Sequence, residues 1–192
     1  MQFKDVRIGF AFTGSFCTFS KVITELEKLS AAGASITPVI SYSVDKFDTK
    51  FGRADEWKTR IQAVTGKEII RTITDAEPIG PKALLDILVV APCTGNTLGK
   101  LANGITDTPV TMACKAHLRN GRPLLIALST NDGLGINARN IGFLQNCRNV
   151  FFVPYGQDDP QKKCNSVMAR FDMIIPSIQA ALEGRQLEPV LM

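Results

Sequence analysis

The sequence predicts an α/β domain in which a parallel β-sheet is covered by helices on both faces. Apolar runs such as VRIGFAF at 6–12 and ILVVA at 87–91 are nearly continuous, which is typical of strands buried on both faces. Segments with apolar residues at helical spacing lie between these runs, and this alternation indicates parallel strands joined by helices. The length of 192 residues suits one domain, to which we assign residues 1–192.

The elements follow, in chain order, from apolar periodicity and from residues that begin or end helices. The first strand breaks at residues 13–15, and the helix after it ends at Gly33. Pro109 stands at a favourable first-turn position of a later helix. Residues 158–165 are predicted to form a loop, and the tail after Gly184 is expected to be loosely held. The predicted strands are 6–12, 36–41, 87–91, 123–128 and 150–153. The further predicted helices are 54–64, 78–85, 96–102, 109–119, 137–145 and 166–182.

Composition excludes several classes of protein. The hydrophobic fraction of 45% and charged fraction of 21% are those of a globular chain. No apolar run reaches the roughly 18 residues of a membrane helix, and the N-terminal run reads as a strand rather than a signal peptide, so we expect a cytosolic protein. The net charge of +4 comes from scattered basic residues, which argues against nucleic acid as a partner. The five cysteines are far apart, so we expect reduced thiols and no metal site.

Small polar residues follow the predicted strands at four places. Ligands of parallel α/β sheets bind outside the carboxyl ends of the strands, so these loops are the candidate site. They are residues 13–16, 41–43, 92–97 and 129–135. In the first loop, Gly14 permits a close approach of the backbone and Ser15 adds a hydroxyl where a helix begins, which suits a phosphate. A plain helix cap explains the same residues, and both interpretations stay open.

The third loop, APCTGNT, allows similar alternatives. Asn96 and Thr97 stand where a helix begins, so they either cap that helix or contribute to a cofactor cradle. Cys93 is either a nucleophile or a structural thiol, and the second interpretation is favoured because no histidine is near it in sequence. The sole histidine, His117, lies in the helical segment MACKAHLRNG beside charged residues, so we expect it at the surface. The loop from Ser129 either closes over a ligand or is simply solvated.

A long central segment, APCTGNTLGKLANGITDTPVTMACKAHLRNGRPLLIAL, resembles the flavoproteins that include cysteine decarboxylases and flavin prenyltransferases. Members of this family carry an alanine-proline pair, small residues, an asparagine-threonine pair and then spaced lysine, alanine, glycine, isoleucine and aspartate. The similarity extends to IGFAFTGS and PVIS and covers roughly two thirds of the chain, although only the central segment is specific. The matching positions are Ala91, Pro92, Cys93, Thr94, Gly95, Asn96, Thr97, Lys100, Ala102, Gly104, Ile105 and Asp107.

The resemblance implies a flavodoxin-like, three-layer Rossmann-type fold that binds FMN. It places the phosphate at Gly14 and Ser15, with help from Ser41, and the isoalloxazine ring against residues 92–97. Members of the family assemble as trimers or dodecamers with FMN at subunit interfaces, so the resemblance also implies a homo-oligomer. The cofactor-binding residues predicted in this way are Thr13, Gly14, Ser15, Ser41, Pro92, Cys93, Thr94, Asn96, Thr97, Ser129 and Thr130.

The sequence departs from the family at positions that carry chemistry. The catalytic His-Ile pair of the cysteine decarboxylases is replaced by Pro78-Ile79, and their Pro-x-Met-Asn segment does not occur. Flavin prenyltransferases carry Arg-Glu where this chain has Ser129-Thr130, and serine lacks the fixed charge and paired donors of arginine. These departures argue against decarboxylation of a cysteine and against prenyl transfer.

Two further stretches, LSTNDGLGINARNIG and FVPYGQDDPQKKCNSVMARFD, are similar to one family member that is part of a two-subunit oxidoreductase. That resemblance implies a partner subunit with an NADP-dependent, dehydrogenase-like site and a small-molecule substrate. Three functions stay open: a catalytic flavoprotein subunit, a structural or activating subunit that retains the cradle, and a decarboxylase-like or prenyltransferase-like enzyme acting alone. No general acid or base is identified, and Asp107 and Asp132 are the nearest carboxylates.

Overall fold

The computed structural model describes residues 3–192, which form a seven-stranded sheet with helices on both faces. The strands are β1 (Arg7–Phe12), β2 (Ser35–Ile40), β3 (Ile87–Cys93), β4 (Leu124–Thr130), β5 (Val150–Phe152), β6 (Tyr155–Asp159) and β7 (Lys163–Ala169). The α-helices are α1 (Phe19–Ala31), α2 (Tyr42–Lys46), α3 (Ala54–Thr65), α4 (Ile73–Ala76), α5 (Gly95–Ala102), α6 (Pro109–Leu118), α7 (Asn137–Gln145) and α8 (Ile174–Leu182). Short 3₁₀ turns span Phe16–Thr18, Glu77–Ile79 and Phe171–Met173.

Five strands are parallel and lie in the order β2-β1-β3-β4-β5. The outer edge of β4 is shared between two partners: residues 124–126 pair with β5 in parallel, whereas Ser129 and Thr130 pair with β7 in the antiparallel direction. β6 and β7 form an antiparallel hairpin that continues the sheet beyond the end of β5. The predicted α/β architecture is therefore confirmed, with an antiparallel extension that the sequence pattern did not predict.

The core lies on both faces of the central strands. All seven residues of β3 are buried, and α1 contributes a buried face of Val22, Ile23, Leu26 and Leu29 at the predicted helical spacing. α1 and α8 cover one face of the sheet, and α4 to α7 pack on the other. The carboxyl ends of β1, β3 and β4 therefore meet at one edge of the sheet, where the predicted loops follow them.

Several helices begin or end at threonine or glycine residues, some of which the sequence predicts. Gly33 and Gly66 adopt positive φ angles of 91° and 65°, which end α1 and α3. Thr108 caps α6 by accepting a hydrogen bond from the N–H of Thr111 at 3.1 Å. The cap of α5 is Thr94, which accepts from the N–H of Thr97 at 3.3 Å, so this helix begins earlier than predicted. No helix within residues 3–192 is long and apolar enough to cross a membrane.

The predicted helix 166–182 is wrong in its first half, and so is the predicted loop 158–165. Residues 163–169 form β7, and the helix proper begins at Ile174. Val167, Phe171 and Ile174 happen to lie at helical spacing, which imitates a helix, while pairing with β4 and β6 decides the actual structure. The short helix that the sequence predicts within residues 78–85 is a 3₁₀ turn at Glu77–Ile79.

The C-terminal tail is held, contrary to expectation. The side chain of Gln186 accepts a hydrogen bond from the N–H of Phe152 at 2.9 Å and donates to its carbonyl at 2.7 Å, as a neighbouring strand would. Tyr155 exchanges backbone hydrogen bonds with Val190 and Met192 at 2.9 and 3.0 Å. The tail thus pairs with backbone groups of β5 and of the first residue of β6, which would otherwise lack partners.

His117 is buried, not exposed as predicted. It lies on the inner face of α6 and has no accessible surface. Its Nε2 lies 2.9 Å from the carbonyl oxygen of Pro123, whereas its Nδ1 has no partner within residues 3–192. The Nε2–H tautomer donates to this carbonyl and leaves Nδ1 unprotonated. Burial lowers the pKa of His117, because the imidazolium would bury an N–H without an acceptor.

The lowered pKa of His117 predicts acid sensitivity. The unfolded chain binds a proton below about pH 6.5 while the native ring does not, so stability falls as the pH drops through this value toward the folded pKa. The free energy of unfolding should change with pH by a slope that approaches about 1.4 kcal/mol per pH unit. Urea titrations of the wild type and of His117→Gln measure it. Since this is the sole histidine, an equal slope in the variant would contradict the assignment.

Candidate functional site

A cavity of roughly 640 Å³ lies at the carboxyl ends of β1, β3 and β4, beneath the β6–β7 hairpin. This volume is within the range of about 300–1,000 Å³ that is usual for small-molecule sites. Its walls come from five segments of the chain (residues 14–18, 49–51, 94–96, 129–137 and 158–168), which only the fold brings together. The lining residues are Gly14, Ser15, Phe16, Cys17, Thr18, Thr49, Phe51, Thr94, Gly95, Asn96, Ser129, Thr130, Asn131, Asp132, Asn137, Asp158, Lys163, Ser166, Val167 and Met168.

The loop after β1 forms one wall. The hydroxyl of Ser15 lies 2.7 Å from that of Ser129, which joins this loop to the end of β4. Gly14 packs closely against the first turn of α2, since a Cβ there would lie 3.2 Å from the hydroxyl of Ser43. The 3₁₀ turn at 16–18 and α1 begin directly behind these residues. Two hydroxyls and the first N–H groups of a helical segment thus face one end of the cavity, which suits an anion.

Thr13 holds this wall in place. It is buried, and its hydroxyl donates to the carbonyl of Pro92 at 2.6 Å and accepts from the N–H of Thr94 at 2.9 Å. The ends of β1 and β3 are therefore fastened by one side chain. Thr13 does not line the cavity, and its position supports the binding residues from behind.

The predicted binding residues fall into two groups. Those that line the cavity are Gly14, Ser15, Thr94, Asn96, Ser129 and Thr130. Those that lie behind its walls are Thr13, Ser41, Pro92, Cys93 and Thr97, all of them buried. Ser41 reaches the site indirectly, because its hydroxyl lies 3.2 Å from that of Ser43. Thr97 supports the cap of α5 through the hydroxyl of Thr94, at 3.1 Å.

Cys93 is a structural thiol. It is fully buried at the end of β3, and burial raises its pKa to about 12. The thiol is thus protonated near neutral pH and is not a nucleophile. Pro78 and Ile79, which the resemblance sets at the place of the family's catalytic pair, lie in a 3₁₀ turn outside the cavity of this chain, and Ile79 is buried.

Asp132 forms a rigid polar cluster at the first residue of α5. Its Oδ1 accepts from the hydroxyl of Thr130, and Asn137 Nδ2 donates to Oδ1 and Oδ2 at 2.9 and 2.8 Å. Asn140 completes the cluster by donating to the side-chain carbonyl oxygen of Asn137 at 2.8 Å. The hydrogen bond from Thr130 lowers the pKa of Asp132, so this carboxyl stays ionised near neutral pH.

The cluster packs tightly against α5. A Cβ on Gly95 would lie 2.5 Å from Thr130 Oγ1, 2.6 Å from Asn137 Nδ2 and 2.8 Å from Asp132 Oδ1. Gly95 is therefore required for close approach rather than for an unusual backbone angle. The carboxylate also sits at the positive end of the α5 dipole, which stabilises its charge.

The hairpin supplies a wall that the sequence pattern did not predict. Val167 and Met168 present apolar surface, and Lys163 extends into the cavity while bound to Asp158, with Nζ 2.9 Å from Oδ2. Phe51, on the loop after α2, adds an aromatic ring at the mouth that is 45% exposed. Asp132, Asp158 and Lys163 are the charged residues that line the cavity. The charge of Lys163 is thus already balanced by Asp158, whereas the negative charge of Asp132 is not balanced by a cation of the cavity wall.

Similarity to known proteins agrees with this geometry. The family described as Flavoprotein matches residues 2–183. The B subunit of dipicolinate synthase from Bacillus subtilis (strain 168) is 48% identical over 189 residues, which cover 98% of this chain and 94% of that protein. The crystal structure of the corresponding dipicolinate synthase protein from Bacillus halodurans C superposes with a TM-score of 0.92 at 46% identity, and the alignment covers 100% of this chain and 98% of that one. The FMN-dependent cysteine decarboxylase SpaF shares the fold, with a TM-score of 0.68, 23% identity, and 93% and 96% coverage.

Tight packing at the first residue of α5 predicts opposite effects of two glycine substitutions in one helix. Gly95→Ala should destabilise the protein by about 1–3 kcal/mol, because the new methyl group displaces the Asp132 cluster. Gly99→Ala is the matched control, since its Cβ would lie 3.5 Å from Asn140 Nδ2, an ordinary contact, and alanine favours a helix by about 1 kcal/mol. Urea denaturation measures both free energies of unfolding. Equal effects would contradict the packing argument.

Proposed function

The chain belongs to the flavoprotein family, and we propose that it is the B subunit of a dipicolinate synthase that works with a dehydrogenase-like A subunit. The observation that carries this proposal is the agreement in sequence and fold, over nearly the whole chain, with the B subunits from two species of Bacillus. The shared fold alone would not assign a function, since unrelated chemistries use one fold. Identity of 46–48% along nearly the whole chain is more specific evidence of function than a shared fold.

In this proposal the two subunits form dipicolinate during sporulation from a precursor derived from dihydrodipicolinate. Aromatising the ring removes two electrons, so the reaction needs an acceptor, and cofactors supply such chemistry. The A subunit carries NADP, and a flavin bound to this chain supplies a second acceptor of two electrons. We place the enzyme in the cytoplasm, where the five free thiols stay reduced.

The cavity has a donor set that fits FMN. Gly14 and Ser15 hold the phosphate at the start of the 3₁₀ turn and α1, with Ser129 fixing the hydroxyl of Ser15 and Ser41 supporting the adjacent loop. Thr94 and Asn96, which line the cavity, would offer polar groups to the ring, and the apolar side chains of the hairpin, Val167 and Met168, would exclude water from it. The site is broad and open at its mouth, which is consistent with a homo-oligomer, a trimer or a dodecamer, in which a neighbouring subunit completes it.

A second candidate is a structural or activating B subunit that retains the flavin cradle without using it. One observation favours it: hydrogen bonds hold Asp132 and Lys163, which both line the cavity, in their charged forms. The carboxyl of Asp132 stays ionised, and Lys163 is held as a cation by Asp158, which raises its pKa. An enzyme acting alone as a decarboxylase or prenyltransferase is the weakest candidate, because Ser129 contributes only a hydroxyl that is bound to Ser15.

Reconstitution tests the proposed function. Purified chain is mixed with the A subunit, NADP and the precursor, with and without FMN, and dipicolinate is measured by its ultraviolet absorbance. We expect the A subunit alone to form at least tenfold less product than the mixture. Dependence on FMN identifies the catalytic flavoprotein subunit, and FMN-independent activation identifies the structural one. If the chain fails to increase product formation by the A subunit, the proposal is wrong.

Substitutions test the cradle separately from activity. Ser15→Ala and Asn96→Ala should each raise the dissociation constant of FMN about tenfold, because each removes a polar contact worth about 1.5 kcal/mol. Fluorescence of Trp57, the sole tryptophan, reports binding: its ring lies 5.2 Å from that of Phe19, which lies 5.2 Å from the cavity residue Phe16. Ser20→Ala, at an exposed position of α1, is the control and should leave the affinity unchanged. Unaltered affinity in both site variants would sink the assignment.

A further inference from the structure

We infer that Asp132 is a residue that selects the oxidised state of the flavin, by placing a fixed negative charge beside the ring. This inference rests on the proposed binding of FMN in the cavity. It goes further because it assigns a role to a side chain that belongs to the loop 129–135, outside the central segment that resembles the family.

The carboxylate of Asp132 lies beside the segment that is proposed to contact the flavin ring. The Oδ1 atom of Asp132 would lie 2.8 Å from a Cβ on Gly95, so the carboxylate touches the segment 92–97 against which the ring is proposed to lie. Both carboxylate oxygens are held by Thr130 and Asn137, so the group cannot turn away when a ligand enters. A charge fixed by its surroundings acts on a ligand without a cost of reorganisation.

The carboxyl group of Asp132 is held in its ionised form. Hydrogen bonds from a hydroxyl and an amide, together with the positive end of α5, favour the ionised carboxyl. Lys163, the cationic residue that lines the cavity, is paired with Asp158 at 2.9 Å and does not compensate the charge of Asp132. The wall that faces the ring therefore stays negative throughout the neutral pH range.

The consequence follows from simple electrostatics. Two-electron reduction of a flavin leaves the ring with more negative charge near neutral pH, concentrated on the pyrimidine side. A carboxylate nearby repels this charge, so the protein binds the oxidised ring more tightly than the reduced one and lowers the reduction potential.

Asp132→Asn tests this role, because it removes the charge while keeping the shape and an acceptor for Asn137. We measure dissociation constants for oxidised and chemically reduced FMN through Trp57 fluorescence, and the midpoint potential by equilibration with redox dyes. The ratio of the reduced to the oxidised dissociation constant should fall about tenfold, which raises the midpoint potential by about 30 mV for a two-electron couple. Asp75→Asn, an exposed aspartate in α4 outside the cavity, is the matched control and should leave the ratio unchanged.

A second variant keeps the inference testable if Asp132→Asn fails to fold. Asn131→Asp adds a carboxylate to the same wall and should shift the ratio and the potential in the opposite direction. An unchanged ratio in a folded Asp132→Asn protein, or in Asn131→Asp if the first variant is unfolded, overturns the inference while FMN binding stands. If the wild-type chain binds FMN in neither redox state, the proposed cradle fails, and the inference fails with it.

Discussion

The hydroxyl of Thr13 is the interaction on which the cavity depends. The ladder between β1 and β3 ends at Ala11 and Val90, and beyond it the two strands diverge. The buried Thr13 hydroxyl donates to the carbonyl of Pro92 and accepts from the N–H of Thr94. Without Thr13, these two backbone groups would be buried without partners. Because Thr94 is fixed in this way, its own hydroxyl is positioned to cap α5. The start of α5 and the loop after β1 thus form one rigid unit.

The opposite wall is built by packing rather than by a strand ladder. Gly95 allows the Asp132 cluster to sit directly on the first turn of α5, and Gly133 allows Val167 of the hairpin to press against the same loop, where a side chain would collide. The antiparallel hairpin is held by only two residue pairs with β4, at Ser129 and Thr130. These two residues therefore serve the hairpin, the first loop and the carboxylate cluster together. The carboxyl end of β4 thus joins the hairpin to the parallel sheet and closes this side of the cavity.

The sequence predicts the parts of the molecule whose structure is decided locally. The strands β1, β3 and β4, the apolar face of α1 and the loops at strand ends follow from periodicity and from glycine and threonine positions. β7 could not be found in this way, because its pairing with β4 and β6 outweighs a helix-like spacing of apolar residues. His117 and Gln186 are polar residues whose partners, Pro123 and Phe152, are defined only by the tertiary fold. For the site, six of the predicted residues line the cavity, whereas Phe51 and Lys163 carry no local signal.

Several residues that the resemblance to the family singles out are buried or already hydrogen-bonded in this chain. Ile79 is buried beneath α6, and the hydroxyl of Ser129 is bound to that of Ser15. The thiol of Cys93 is protonated by burial, and the one carboxylate that remains unpaired in the wall, Asp132, is too strongly acidic to exchange protons efficiently near neutral pH. These side chains therefore offer shape, hydrogen bonds and a fixed charge. On the proposal that this chain binds FMN and that Asp132 disfavours its reduction, the flavin would be a poor final acceptor, so the terminal electron acceptor and the proton transfers of the proposed reaction would belong to the partner subunit.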